Sequence, residues 1–238
     1  IFSLAHDYTA FLRTKVNKGL GYFIIVPTLR CNLLCSYCQV SRASETASGY
    51  DWDDETVKRF LEFFIEHSSE APKLEIQGGE PLLIFPKLKK MIEEIHKIKP
   101  KTEVVICTNL QVIPENFWKF AKKHNIFIST SIDGPSKLHN KNRNKDEIGT
   151  KQFFQNLTDA IKHLGIDYVS ALPTITDFED LPEVTTFYRK LGFKEIFMRP
   201  VNYQGFARKS FDQQSKNQEN WNKAYLSSLA QIFADNEV

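Results

Sequence analysis

The chain has 238 residues, 42% of them hydrophobic, 25% charged and 13% aromatic, enough apolar mass to bury a sizeable core in one or two domains. That composition excludes disorder, collagen and a bare coiled coil, and Lys plus Arg at 31 against Asp plus Glu at 29 leaves a net charge of +2, no electrostatic case for a nucleic-acid partner. No run of about 18 apolar residues exists to span a membrane, so a soluble, cytoplasmic protein is the expectation.

The first twenty residues, with Tyr8, Phe11 and Leu12, are ambiguous between helix and strand and form an N-terminal segment without an assigned function. From residue 21 to 205, short β-branched runs alternate with amphipathic stretches, the pattern of a parallel sheet covered by helices. Six strands are expected, at Tyr22–Pro27, Lys73–Gln77, Glu103–Cys107, Ile126–Ser131, Tyr168–Pro173 and Glu195–Arg199. Between them, helices are expected to start near Asp53, Pro86, Pro114, Lys151 and Asp180, with acidic or proline first turns of the expected kind. Val57, Phe60, Leu61, Phe64 and Ile65 draw one apolar stripe on the first of these. The Lys-rich stretch 87–101 is interrupted by Glu93 and Glu94 and carries its own stripe of Leu88, Met91, Ile92 and Ile95, so it reads as a solvated helix face. Residues 206–238 read as a polar linker, Lys209–Asn220, and a final helix carrying Trp221, Tyr225, Leu229, Ile232 and Phe233.

Three of the four cysteines, Cys31, Cys35 and Cys38, crowd into a C-x3-C-x2-C run just after the first strand. Cubane iron-sulfur clusters ordinarily take four cysteines, so three ligands leave one iron able to bind a substrate or cofactor directly. A zinc site usually needs four protein ligands, and His6 and His67 are distant and lack zinc-module spacing. Cys107 ends the apolar run VVIC and reads as a packed core thiol.

The segment CNLLCSYC resembles the cluster loop of the radical S-adenosylmethionine superfamily, and three further motifs fall in the family's order. Gln77-Gly78-Gly79-Glu80-Pro81 is similar to the GGEP motif, whose backbone and carboxylate contact the methionine amino end of the cofactor. Ser131-Ile-Asp133-Gly-Pro135, then His139 and Arg143, resembles the SIDGP and H-x3-R pattern of the peptide-modifying branch. Tyr37 matches an aromatic position near the adenine. The resemblance implies a partial (β/α)6 TIM-like barrel with a [4Fe-4S] cluster on Cys31, Cys35 and Cys38. It implies S-adenosyl-L-methionine held by Tyr37, Gly78, Gly79, Glu80, Ser131, Asp133 and Arg143. A hydroxyl and a carboxylate suit ribose, and a guanidinium suits a carboxylate.

More finely, PTLRCNLLCSYCQVSRASE, EIQGGEPLL, STSIDGPSKLHNKNR and FMRPVNYQGFAR are similar to the radical maturase of the His-Xaa-Ser peptide system. The implied activity is reductive cleavage of the cofactor to a 5'-deoxyadenosyl radical that takes hydrogen from a ribosomally made precursor peptide, giving a side-chain crosslink. Oxidation of Ser or Cys to formylglycine is the alternative product. The implied partners are that peptide or protein substrate and a reducing electron donor, with neither nucleic acid nor membrane. No cysteine follows Cys107, so an auxiliary-cluster extension is not carried by these residues, and NKDEIGTKQ after Arg143 is shorter and poorer in glycine than this subgroup leads one to expect. Asp177, Glu179 and Arg199, near strand ends, are weakly marked candidates for a second step. A noncatalytic iron-sulfur or zinc module would explain the cysteines but neither GGEP nor SIDGP, and a metal-free sugar-phosphate barrel would leave the cysteines unexplained.

Overall fold

The computed structural model describes residues 7, 8, 10, 19–144, 146–176, 180–202, 204–210 and 218–236. Phe11, Leu12, Asp177, Glu179 and most of the linker read from Lys209–Asn220 lie outside them.

Five strands form one parallel sheet in the order of the chain: β1 (Leu20–Ile25), β2 (Ser68–Ile76), β3 (Glu103–Cys107), β4 (Phe127–Ser131) and β5 (Val169–Leu172). A sheet whose order never reverses curls toward a barrel, whereas a doubly wound sheet has a switch point. The crossovers are α1 (Asp54–His67), α2 (Phe85–Ile98), α3 (Phe117–Lys123) and α4 (Glu147–Leu164); α5 (Leu181–Lys190) follows β5, and α6 (Gln218–Asn236) packs beside α5. The α/β partial-barrel architecture expected from the sequence is therefore the one observed.

The helix starts follow local chemistry. Asp53 caps α1 by accepting from the Thr56 N–H at 2.8 Å, and Asp146 caps α4 by accepting from Gly149 N–H at 2.6 Å, which moves that helix start four residues ahead of Lys151. Helix α3 starts later than Pro114, after Asn116 turns the chain through a left-handed conformation, φ 62°. Strand β2 starts at Ser68, earlier than Lys73, because its pairing with β1 jumps from Leu20↔Ser68 to Tyr22↔Lys73 across a bulge that accommodates Pro72.

The sixth strand is reduced. Only Arg199–Pro200 pairs, parallel to Thr174–Ile175, just beyond the end of β5, and Glu195–Met198 forms no ladder. Pro173 lacks the N–H that would carry β5 onward, so the pair stands as a separate two-stranded unit, tied by Arg199 N–H to the Pro173 carbonyl at 3.2 Å.

The two faces of the sheet differ. Phe23, Ile25, Leu74, Ile76, Val104, Ile106, Ile128 and Val169 alternate toward the helices and are buried with Phe64, Leu88, Met91, Ile92 and Ile95 in one core. Each such side chain contributes on the order of 1.5–3 kcal/mol by leaving water. The intervening residues, among them Glu75, Gln77, Cys107, Ser129 and Ser131, line an open cavity instead.

Candidate functional site

The cysteine loop leaves the carboxyl end of β1 and is held by its own side chains. Arg30 grips Asp51 with two bonds, Nε to Oδ1 at 2.8 Å and Nη2 to Oδ2 at 2.6 Å, and Thr28 Oγ1 donates to the same carboxylate at 2.6 Å. The Arg30 and Thr28 bonds, working against partial burial, hold Asp51 below the usual carboxylate range. Arg30–Cys31 also pairs with Ala43–Ser44, so both ends of the excursion are fixed before any ligand arrives.

The glycine pair is a joint. Gly79 N–H donates to the Thr28 carbonyl at 2.9 Å and Glu80 N–H to the Arg30 carbonyl at 2.7 Å. A Cβ on Gly78 would stand 2.6 Å from the Thr28 oxygen, and one on Gly79 would stand 2.2 Å from the Arg30 oxygen. Only hydrogen fits there, so the pair lets the end of β2 lie flat on the cysteine loop while both glycines still line the cavity.

Glu80 lies behind that wall and is fully buried. Its carboxylate accepts from Leu82 N–H at 3.0 Å, Thr108 Oγ1 at 2.8 Å and Asn109 N–H at 2.7 Å, tying the turn after β2 to the end of β3. Burial nevertheless pushes its pKa up to about 7. Asn109, held this way, points its amide at Asn32 Oδ1, 2.8 Å, and at Cys31 Sγ, 3.8 Å, while Leu33 N–H approaches the same sulfur at 3.4 Å. Those N–H groups would stabilise a thiolate; in the absence of a ligand, burial pushes the Cys31 thiol up to about 11 and Cys35 upward as well.

On the opposite wall, Arg143 Nη1 donates to Tyr37 Oη at 2.7 Å, and that hydroxyl donates to Asp133 at 2.7 and 2.8 Å from its two oxygens. Arg143 sits on a π-helical turn, Asn140–Asn144, whose Asn142 carbonyl accepts from Ser36 N–H at 3.0 Å and so docks the turn on the cysteine loop. Asp133 also accepts from Thr174 N–H at 3.4 Å, and burial pushes its pKa up to about 6. Like Glu80, Asp133 stands one layer behind the cavity lining, whereas Tyr37 and Arg143 reach it. His139 is buried flat against Phe153, centroids 4.1 Å apart, away from the cavity.

Cys31, Cys35 and Cys38 are all free thiols on the rim of this single cavity of about 300 Å³, with Gly78, Gly79, Ser131 and Arg143. Thr130 Oγ1, Gln39 Nε2, Arg143 Nε and Arg199 Nε belong to its lining and are buried with no partner among the described residues. Among the described residues no three His, Cys, Asp or Glu side chains form a cage for a single metal ion. Three thiols beside Ser131, the glycine pair and the Arg143 guanidinium fit an iron-sulfur cluster joined to a ligand that carries a carboxylate and hydroxyls. The sequence-predicted residues are thus brought to one place, in two layers.

Sequence reasoning passed over Glu75, Thr108 and Asn109, took Gln77 only as part of the glycine-pair run, and read Cys107 as a packed core thiol, which the structure corrects. Cys107 lines the cavity and donates to Glu75 Oε1 at 3.4 Å; burial pushes it up to about 12, so it is a neutral thiol on the cavity wall. The signal was present: strands buried on both faces read as continuous apolar runs, but Lys73-Leu-Glu75-Ile-Gln77 and Phe127-Ile-Ser129-Thr-Ser131 interleave polar residues, the mark of an inner face that is not packed.

The family model of the Radical SAM superfamily matches residues 25–191. A Cysteine-type anaerobic sulfatase-maturating enzyme of Clostridium perfringens is 24% identical over 182 residues, 72% of this chain and 48% of that protein. A Serine-type anaerobic sulfatase-maturating enzyme of Bacteroides thetaiotaomicron is 24% identical over 183 residues, 72% of this chain and 44% of that protein. The chain thus spans about half the length of these relatives. Among solved structures, anSMEcpe with bound AdoMet superposes with a TM-score of 0.64 at 22% identity, covering 86% of this chain and 60% of that one. Streptococcus suis SuiB bound to its precursor peptide SuiA superposes at 0.59 and 18% identity, covering 84% and 44%. These likenesses are to the fold, and no helix among the described residues is long and apolar enough to cross a membrane.

Proposed function

The chain belongs to the radical SAM superfamily, whose members use a [4Fe-4S] cluster and S-adenosylmethionine, and from that premise we propose that it abstracts hydrogen from a ribosomally made peptide, leading to a side-chain crosslink. The observation that carries this is the cavity at the strand carboxyl ends, whose lining brings three free thiols together with Gly78, Gly79, Ser131, Arg143 and Arg199. When bound, the cluster and cofactor supply a carbon-centred radical able to take a hydrogen atom.

The residues of the chain position and exclude. Cys31, Cys35 and Cys38 hold the cluster, and the Asn109 and Leu33 N–H groups near Cys31 favour its thiolate. Arg143 Nε, held in place through Tyr37 and Asp133, offers a charge-assisted bond to the cofactor carboxylate; Ser131 offers a hydroxyl to ribose; Gly78 and Gly79 present backbone. Glu80 and Asp133 act by holding their neighbours. The peptide assignment draws on the SIDGP and His-Xaa-Ser maturase resemblance and on SuiB, whose structure holds a precursor peptide. Formylglycine formation is the second reading, favoured by the likeness to sulfatase-maturating enzymes.

Anaerobic reconstitution with iron and sulfide, reduction in the presence of S-adenosylmethionine and measurement of 5'-deoxyadenosine tests the reading against Cys35→Ala. Product from the unmutated protein alone is expected. A loaded, folded and reduced protein that forms none overturns it.

A further inference from the structure

Glu75 stands on the inner face of β2, in the same cavity as the three cluster cysteines, two residues before Gln77 and the glycine pair. Its Oε2 accepts from the Tyr22 hydroxyl, and its Oε1 accepts from Gln77 Nε2 and Cys107 Sγ. A carboxylate has about four acceptor sites, so three bonds leave one on Oε2 open. Among the described residues no lysine or arginine forms an ion pair with it: Lys73, the next residue on that face, is held by Glu103 at 2.7 Å. Although burial opposes ionisation, the bonds from Tyr22, Gln77 and Cys107 hold the carboxyl below its usual range, so it is charged at neutral pH. Lys73 adds a favourable charge nearby, but its ammonium is already paired with Glu103, so a half-buried carboxylate with an open acceptor site still gains from a cation that a ligand would bring.

The neighbouring strand supplies the rest of a recognition surface. Ile24 is in register with Glu75, hence on the same face, and is 53% exposed; Tyr22 is 51% exposed and Val26 39%. Phe23 and Ile25, the alternate residues, are packed in the core. An apolar strip ending at an anion matches a side chain with an aliphatic stem and a cationic head, which lies along apolar surface and delivers its charge at the tip.

We propose that Glu75, flanked by Ile24 and Tyr22, is a specificity-determining residue that binds a lysine or arginine side chain of the substrate peptide beside the reacting centre. The inference rests on the peptide reading above and adds the class of residue the site selects. Oxidation or hydrogen transfer plays no part in it; Glu75 binds and orients.

The test uses the anaerobically reconstituted protein and two pools of short random peptides, alike except that one contains Lys and Arg where the other contains norleucine and Gln. Peptide-stimulated 5'-deoxyadenosine is read together with anisotropy of a labelled cationic pool measured without reductant. The cationic pool is expected to win by about ten-fold or more, the size of one charge-assisted hydrogen bond. Glu75→Gln should abolish that preference while peptide-free turnover stays within about two-fold, and Glu75→Lys should favour a pool rich in Asp and Glu. Tyr22→Phe, which breaks the Tyr22–Glu75 bond but leaves the charge, should keep the preference for the cationic pool. The proposal is overturned if Glu75→Gln retains the preference, if it raises the cofactor requirement of peptide-free turnover, or if Tyr22→Phe and Glu75→Gln fail alike, which would make the pair structural. If neither pool binds or stimulates while peptide-free turnover persists, the peptide reading itself falls and this inference with it.

Discussion

The same five strands carry two unlike surfaces. Toward the helices, Leu74, Ile76, Val104, Ile106 and Ile128 interlock in a dry core; toward the lumen, Glu75, Gln77, Cys107, Ser129 and Ser131 face open space. The first surface is redundant, because many contacts of similar kind share the load. The second is not, because each polar group there depends on a few specific partners, as Glu75 does on Tyr22, Gln77 and Cys107. Stability should therefore be sensitive to the helix face, and chemistry to the lumen face and the loops at its mouth.

The largest effect is expected where the two surfaces meet. Gly79→Ala forces a methyl to within 2.2 Å of the Arg30 carbonyl and must push the cysteine loop off the end of β2. Iron content and 5'-deoxyadenosine formation should both fall by about a hundred-fold, equivalent to about 2.7 kcal/mol and at the upper end of the usual overpacking cost. Iron bound normally by a folded Gly79→Ala protein would mean that the joint is dispensable.

Ile106→Ala sits on the packed side only. It should lower unfolding stability by about 2–5 kcal/mol in denaturant titration, with the cofactor concentration for half-maximal turnover unchanged. A shift in cofactor affinity at unaltered stability would erase the distinction between the faces.

The buried carboxyls give a pH signature of the ligand-free protein. Glu80 is pushed from its ordinary 4.5 up to about 7, so between those values the folded state binds more protons than the unfolded one, and stability falls as pH rises through that window. The full span is worth up to about 3 kcal/mol. Thermal unfolding of the apoprotein should show that decline, and Glu80→Gln, though destabilised overall by a mismatched donor, should flatten it. A slope unchanged in Glu80→Gln would assign the titration elsewhere, with Asp133 as the next group to test.

The smallest effect belongs to the outer clamp. Arg30→Lys loses the paired geometry on Asp51 but keeps the charge, and because the ion pair is part-exposed the stability cost should be about 0.5–1 kcal/mol. Cluster loading that fell more steeply than stability would show that this clamp sets the loop rather than merely decorating it.

The strand-helix alternation, five of the strand positions and the helix stripes were legible because burial on one face imposes periodicity that survives in linear sequence. The cysteine spacing and the GGEP and SIDGP runs were legible because ligation and tight turns demand residue types at fixed separations. The shortened sixth strand was not, since Glu195–Arg199 has strand-like residues and it is Pro173, more than twenty positions away, that interrupts the pairing partner.

What the linear order of residues determined about this protein is its repeat of strand and helix, its family and the identity of the three thiols. Only the tertiary structure decided the layering: that Glu80 and Asp133 brace the site from behind, that the glycines join two loops, and that Cys107, read as core, shares a wall with Glu75. The reason is physical. Periodicity and spacing record contacts between near neighbours and with bulk solvent, whereas the partner of a buried polar group comes from another strand end, brought within hydrogen-bond distance only when the sheet curls and closes its mouth.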